Sequence, residues 1–379
     1  MHSLVLVVVT ILLSIASCQG GKTTTDDKAG GDTISMRYAT NLTLVRYDNY
    51  VEATIRNPWD TTRVLHRYLL VEGEGTPDPS TTDGEPTVIH VPVRKAGVYS
   101  SVHCSLFDEL GCASSIAGVC DSKYITLPTI KRGLEEGTIS DFGDGMEPNI
   151  EAIMDAMPDV LMPSPFENSG GYGRLERLGI PIVECADYME VSPLARAEWV
   201  RFYGILTGEE QRADSLFDAV EKHYTDLRTQ VLKTRTRPTL VAEMPSSGAW
   251  YIAGGKSTLG IMYHDAGADY VFADMDNAGS TSMAFEKVFE RAEKADFWLV
   301  KYNQSTPLTL SQMESDNALY THIKAFAEGR VYGCNTTSSQ FYEQTPFHPD
   351  RLLANLISIL HPELGVKAEK TYYSKIAIE

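Results

Sequence analysis

Three short stretches hold residue types that could do chemistry. The first, Gly255-Lys256-Ser257-Thr258 within SSGAWYIAGGKSTLG, ends like a phosphate-binding loop, in which curled backbone N–H groups and a lysine cradle an anion. Such a loop needs an earlier glycine where Trp250 stands. An indole cannot replace a residue chosen for positive φ and close backbone approach, so the nucleotide reading is set aside. The second, His103-Cys104, places a base beside a nucleophile and is the best support for an exported α/β enzyme. Adjacent residues on a strand point to opposite faces, so the two cannot form a dyad there. The third, SGGYGRLERLG, fails as a dinucleotide fingerprint because Glu176 occupies the third glycine position. There is no G-x-S-x-G elbow, and no C-x-x-C or H-x-x-x-H pair to hold a metal. No catalytic or metal-ligating residue is assigned, and no cofactor is expected.

The elements that would position a site alternate in kind. AGVYSSVH (96–103), GTISDFG (137–143), DVLMPSP (159–165) and IPIVECADY (180–188) read as buried strands, with EPNIEAIMDAM and GYGRLERLG at helical spacing between them. RPTLVAEMP (237–245), ADYVFAD (268–274), ADFWLVKYN (295–303) and GRVYGCNT (329–336) repeat the scheme, and HPDRLLANLISIL (348–360) reads as a capped helix. The alternation predicts an α/β fold of two lobes, each with a central, mostly parallel sheet flanked by helices. Between them, residues 209–234 place Leu216, Val220, Tyr224, Leu227 and Val231 on one face of a single long linker helix. The expected division is a leader (1–17), a flexible linker (18–35), an N-terminal lobe (36–208), the linker helix (209–234) and a C-terminal lobe (235–379). Residues 36–95 offer strand patterns for the first lobe but no functional signal.

The leader LVLVVVTILLSIASC is apolar but too short to span a bilayer, since a crossing helix needs about 20 residues. Its end, Ile15-Ala16-Ser17-Cys18, resembles the lipobox of bacterial lipoproteins, which implies cleavage before Cys18 and lipidation of its sulfur. The n-region MHS has no Lys or Arg. Net charge is −18, from 51 acidic and 33 basic residues without a basic cluster, which argues against a nucleic-acid partner. Five further cysteines remain, Cys104, Cys112, Cys120, Cys185 and Cys334. If one bridge forms, Cys120 with Cys185 is expected, because both end strands read as neighbours.

Taken in order, EPNIEAIMDAMPDVLM, LGIPIVE, the long helix, GGKSTLGIMYHDAGADYVFAD, SMAFEKVFERAEKADFWLV and TPFHPDRLLANLISILHPE make the chain similar to the class III periplasmic substrate-binding proteins of ABC importers. That group carries iron siderophores, haem and vitamin B12. The resemblance implies a monomer anchored to the cell envelope, facing the periplasm or exterior, that captures a bulky ligand between its lobes and hands it to a permease. It also implies that Glu151 and Glu286, which open comparable helices in the two halves, dock on the permease. Complementary charge of this kind steers encounter and fixes register.

For the ligand, Phe142, Phe166, Trp250, Tyr251, Tyr302, Phe341 and Tyr342 fall at or just past predicted strand C-terminal ends, where open α/β sheets place their crevice. Lys256, with Arg174 and Lys301, would hold an anionic siderophore, and Tyr251, His103 or His348 would serve as a haem axial ligand. A corrinoid would want flat aromatic walls and little charge. An iron complex, ferric siderophore or haem, is the favoured ligand, with cobalamin as the alternative. A lipoprotein that captures haem or corrinoid without a permease is a further reading.

Overall fold

The computed structural model describes residues 31–379 except 74, 76–85, 168–170 and 247. The leader and Cys18 lie outside the described residues. Among the described residues the strands are β1 (Asp32–Ile34), β2 (Leu42–Arg46), β3 (Tyr50–Arg56), β4 (Val64–Glu72), β5 (Thr87–Val91), β6 (Ala96–Val98), β7 (Ile116–Val119), β8 (Ser140–Asp141), β9 (Val160–Met162), β10 (Thr239–Ala242), β11 (Trp250–Ala253), β12 (Asp269–Tyr270), β13 (Ser280–Met283), β14 (Phe297–Tyr302), β15 (Val331–Asn335) and β16 (Ser374–Lys375).

The N-terminal lobe is built on a parallel sheet in the order β8-β7-β6-β9, which the bridge Leu161↔Ile182 extends at one edge. The C-terminal lobe has the order β12-β10-β14-β15-β16, parallel except at β16. Strands covered on both faces read as continuous apolar runs, as Val160-Leu161-Met162 and Trp298-Leu299-Val300 do, all of them buried. The fold is the expected mixed α/β architecture.

Residues 31–97 supply more than was legible. β1 to β5 form a separate sheet in sequence order, antiparallel except for the parallel pair β4–β5. β1 lies inside the stretch read as linker, because Asp32–Ile34 pairs in register with Leu44 to Arg46. Two buried carboxylates bind this sheet to the lobe. Glu198 accepts the backbone N–H groups of Arg37, Tyr38 and Ala39, and Glu190 those of Thr40 and Asn41. Each carboxylate thus satisfies several backbone donors that the entering chain would otherwise bury unpaired.

Some expected elements change type. The strand read over 96–103 stops at Val98, because Ser100 caps a helix, Ser101–Glu109, by accepting the Val102 N–H at 3.2 Å. GYGRLERLG forms only a 3₁₀ turn, Glu176–Leu178, and IPIVECADY makes a single bridge before another such turn, Asp187–Met189. The expected Cys120–Cys185 bridge is absent, and all five described cysteines are free thiols. Cys120 follows β7 and Cys185 lies beyond β9, with β6 between those strands. Neighbouring strands are about 4.8 Å apart, so the two sulfurs start well outside the ~7 Å Cα reach of a disulfide.

The linker helix forms over Glu210–Val231 and buries Ala213, Phe217, Val220, Tyr224, Leu227 and Val231, while Leu216 is half-buried. Its first half holds the N-terminal sheet and lobe through Arg46–Glu210 and Arg37 with Asp218 and Glu221. Its second half holds the C-terminal lobe, where Tyr224 donates to Asp265 at 2.8 Å and Arg228 lies 3.2 Å from the same carboxylate.

A polar seam adds direct contacts between the lobes. His348 Nε2 lies 2.7 Å from both oxygens of Glu109, at the end of helix Ser101–Glu109. Asp350 sits 2.7 Å from His223 of the linker helix and 3.6 Å from His348, and Arg351 is 3.7 Å from Glu109. The helix Pro349–Leu360 therefore has no side-chain cap, since the preceding His348 faces the other lobe. Glu343 accepts the Thr126 N–H at 2.7 Å, and Phe347 packs on His103 and Tyr203. Burial lowers the His348 pKa, but Asp350 and Glu109 outweigh it and the net shift is upward.

A raised histidine pKa contributes stability that is complete below its unfolded value of about 6.5 and is lost as pH rises through the folded value. The carboxylate of Asp350 is lowered, burial being outweighed by His348 and His223, so its contribution is present above its ordinary value and is lost only in acid. His348→Gln is therefore expected to cost about 1–3 kcal/mol near pH 6. The cost should shrink towards zero in alkali, as read by urea unfolding of both proteins at each pH.

Candidate functional site

The C-terminal ends of β6, β7, β8 and β9 open onto a cavity of about 800 Å³. Tyr99 follows β6, Asp121 follows β7, residues Gly145 to Pro148 follow β8, and Pro163, Ser164 and Phe166 follow β9; Gly171 to Leu175 complete the wall. A parallel sheet places its crevice at this edge because all its strands deliver their loops there. Asn149 shapes one side by capping helix Ile150–Ala156, accepting the Glu151 and Ala152 N–H groups. On the other, Glu176 accepts the Tyr172 N–H at 2.7 Å, and the Tyr172 hydroxyl donates to Glu184 at 3.0 Å.

Tyr99 is the most informative wall residue. It is 9% exposed, and its hydroxyl has no hydrogen-bond partner among the described residues. Burial, then Cys120, raises its pKa well above the ordinary value, which keeps the phenol protonated. A buried hydroxyl left without a partner costs about 1–3 kcal/mol. The hydroxyl oxygen is itself buried, so Tyr99 offers the cavity the side of its ring.

The expected site residues separate into groups. Phe166, 47% exposed, and Arg174 line the cavity. Phe142 does not: it is fully buried under the sheet, filling space left by Gly97 and Gly118, and a Cβ at Gly118 would overlap its ring. Trp250 is also fully buried, 5.7 Å from Trp298 and 6.0 Å from Phe285, with its indole N–H donating to Ala242 at 3.1 Å. Strand alternation sends its neighbour Tyr251 outward to 51% exposure. Phe142 and Trp250 are thus core residues, a correction to the ligand-contact expectation.

The remaining candidates sit on the C-terminal lobe. Tyr302 and Lys301 end β14, and Lys301 is 2.6 Å from Glu243 and 5.3 Å from the ring centre of the buried Phe341. Tyr342 packs edge-on against Phe341 and is 55% exposed. Glu243, just past β10, holds φ at +67°, a sparsely populated conformation for a non-glycine residue at the strand end. Lys256 pairs with Asp276 at the surface. Its loop has glycines for packing, since a Cβ at Gly254 or Gly255 would overlap the carbonyl oxygens of Asn277 and Ala273. Ser257 caps helix Thr258–Asp265, accepting the Gly260 N–H at 3.0 Å. The Gly-Lys-Ser is a helix start.

Neither histidine proposed as an axial ligand lines the cavity. His348 belongs to the seam, and His103 lies on a helix, 2.9 Å from Asp187, which also accepts from Tyr203 and Arg196. Burial would lower the His103 pKa, but Cys185 and Asp187 lift it to about 10. Cys104 is fully buried and its thiol is pushed up by that burial, so it is no nucleophile. Glu151 and Glu286 are exposed, each in the first turn of its helix.

The sequence profile of the periplasmic binding proteins matches residues 98–337. The chain belongs to the periplasmic binding protein family. Among curated proteins, this periplasmic binding protein is similar to two uncharacterized lipoproteins of Methanocaldococcus jannaschii. One is 28% identical, over 89% of this chain and 84% of the relative, and the other 24% identical, over 98% of each. Solved structures of similar fold include a possible iron-binding, periplasmic solute-binding protein of Staphylococcus epidermidis, with TM-score 0.57, 19% identity and coverage of 71% of this chain and 99% of that one. Others are a periplasmic heme binding protein of Pseudomonas aeruginosa (0.58, 15%, 75% and 98%) and a periplasmic vitamin B12 binding protein of Vibrio cholerae (0.53, 12%, 73% and 99%). Proteins of this family bind solutes and are not enzymes. The family match begins after the β1 to β5 sheet, which precedes it in the chain.

Tyr99, Asp121, Glu147 and Tyr172 were not singled out from sequence. Tyr99 was hidden because AGVYSSVH reads as one strand; ending it at Val98 would have put the phenol at a strand C-terminus. Tyr99→Phe removes the unpaired hydroxyl, so the ligand-free protein should become more stable by about 1 kcal/mol in urea unfolding.

Proposed function

We propose that this periplasmic binding protein is the substrate-binding lipoprotein of an ABC importer, capturing an iron complex, a ferric siderophore or haem, and delivering it to the permease. The observation that carries this reading is the ~800 Å³ cavity at the sheet edge, of the size and mixed lining that suit a bulky organic ligand. Its apolar wall, with Met146, Ile150, Phe166 and Leu175, would cover a large ligand, and Arg174 would orient it. The possible iron-binding protein and the heme binding protein of like fold support the ligand class. A corrinoid is the second reading, favoured by the predominance of apolar and aromatic wall over charge, and by the vitamin B12 binding protein of like fold.

Anchoring through Cys18 is supported by the Ile15-Ala16-Ser17-Cys18 pattern and by the lipoprotein relatives. Glu151 and Glu286, exposed at the starts of two helices, are the proposed permease contacts, and the protein is proposed to act as a monomer.

Protein purified from its native envelope should carry a visible absorption band, whose shape separates haem, ferric siderophore and corrinoid. Uptake by cells carrying Glu151→Ala with Glu286→Ala should fall by an order of magnitude or more while the purified double variant keeps its ligand affinity. Unchanged uptake would favour capture without a permease.

A further inference from the structure

Charge around the cavity bears on which bulky ligands it admits. Two acids, Asp121 and Glu147, line it, against Arg174 as the one lining cation among the described residues. Beneath the floor, the Cys120 thiol is pushed up to about 12, first by burial and then by Asp121, Asp141 and Asp144, so the field there is negative. Behind Tyr172 stand the carboxylates of Glu176 and Glu184, the latter 3.3 Å from His66. The lysines that would have favoured an anion are neutralised on the other lobe, Lys256 by Asp276 and Lys301 by Glu243.

We infer that the cavity selects a bulky ligand that is neutral or positively charged on the face turned to the N-terminal lobe, and that it rejects polyanions. This rests on the cavity being the ligand site. A polyanion would give up its hydration to meet several carboxylates and a single guanidinium, an unfavourable exchange. A cationic or neutral complex gains from the acids or is indifferent to them. Among iron complexes, the inference separates neutral and cationic hydroxamate chelates from anionic catecholate chelates and from haem with its propionates.

The test is a fluorescence-quenching titration of the full mature chain with a cationic ferric trihydroxamate and an anionic ferric triscatecholate, each at low and high salt. The cationic probe should bind at least about tenfold more tightly at low salt, and the preference should narrow at high salt. Asp121 holds φ at +52° and accepts the Gly145 N–H at 3.3 Å; Asp121→Asn with Glu147→Gln should reduce the preference by about tenfold, because Asn keeps that backbone and that acceptor while removing the charge. Ser164→Trp, at an exposed lining position, should block both probes. Tighter binding of the catecholate, binding of neither probe, or a preference untouched by the double variant would overturn the charge inference. Binding that survives Ser164→Trp would instead remove the cavity as the ligand site, so the two failures are distinguishable.

Discussion

The arrangement of this protein depends on the meeting of three helices where few buried charges can be satisfied in only one geometry. Glu109 from the N-terminal lobe, His223 from the linker helix, and His348 and Asp350 from the C-terminal lobe share protons and charge within 3.6 Å of one another along the chain of contacts. Separating the lobes would break the His348–Glu109 pair, the contact of this group that joins them directly. The linker helix runs alongside this seam, about 33 Å long at 1.5 Å per residue, and each half of it is bound to a different lobe. Together they favour small adjustments over wide opening.

That constraint explains the cavity's position. With the lobes held at one side by the seam and the helix, ligand space is left at the C-terminal edge of the first sheet, where the loops after four parallel strands converge. The described wall comes wholly from the N-terminal lobe. The second lobe brings Tyr302, Tyr342 and the Glu243–Lys301 pair to its own strand ends. The N-terminal sheet, held to the lobe that carries the cavity by Glu190 and Glu198, precedes that lobe in the chain.

Legibility followed the range of the interactions. The linker helix was visible because its apolar spacing is local, and each residue of its predicted face is buried or half-buried. The sheets were visible as apolar runs, but their ends were not. Whether Ser100 continues a strand or caps a helix turns on one side-chain hydrogen bond to Val102, and with it went the visibility of Tyr99. The five-stranded sheet of residues 32–91 was the weakest reading, since its strands gain meaning only when paired.

By itself, the sequence determined the alternating α/β pattern, the single long helix between two similar halves, the acidic surface without a basic cluster, and the order of phrases that marks the family. These are properties of spacing and composition, and short-range periodicity is enough to specify them. Only the tertiary structure decided which rings face open space: Trp250 and Tyr251 are neighbours, yet one is sealed against Trp298 and the other is exposed. It also decided that Cys120 and Cys185 stay apart and that Lys256 and Lys301, on the lobe opposite the cavity, are paired with Asp276 and Glu243. Each of those outcomes depends on which distant residue lies alongside, and strand order and helix packing, which set it, arise only when the whole chain is folded.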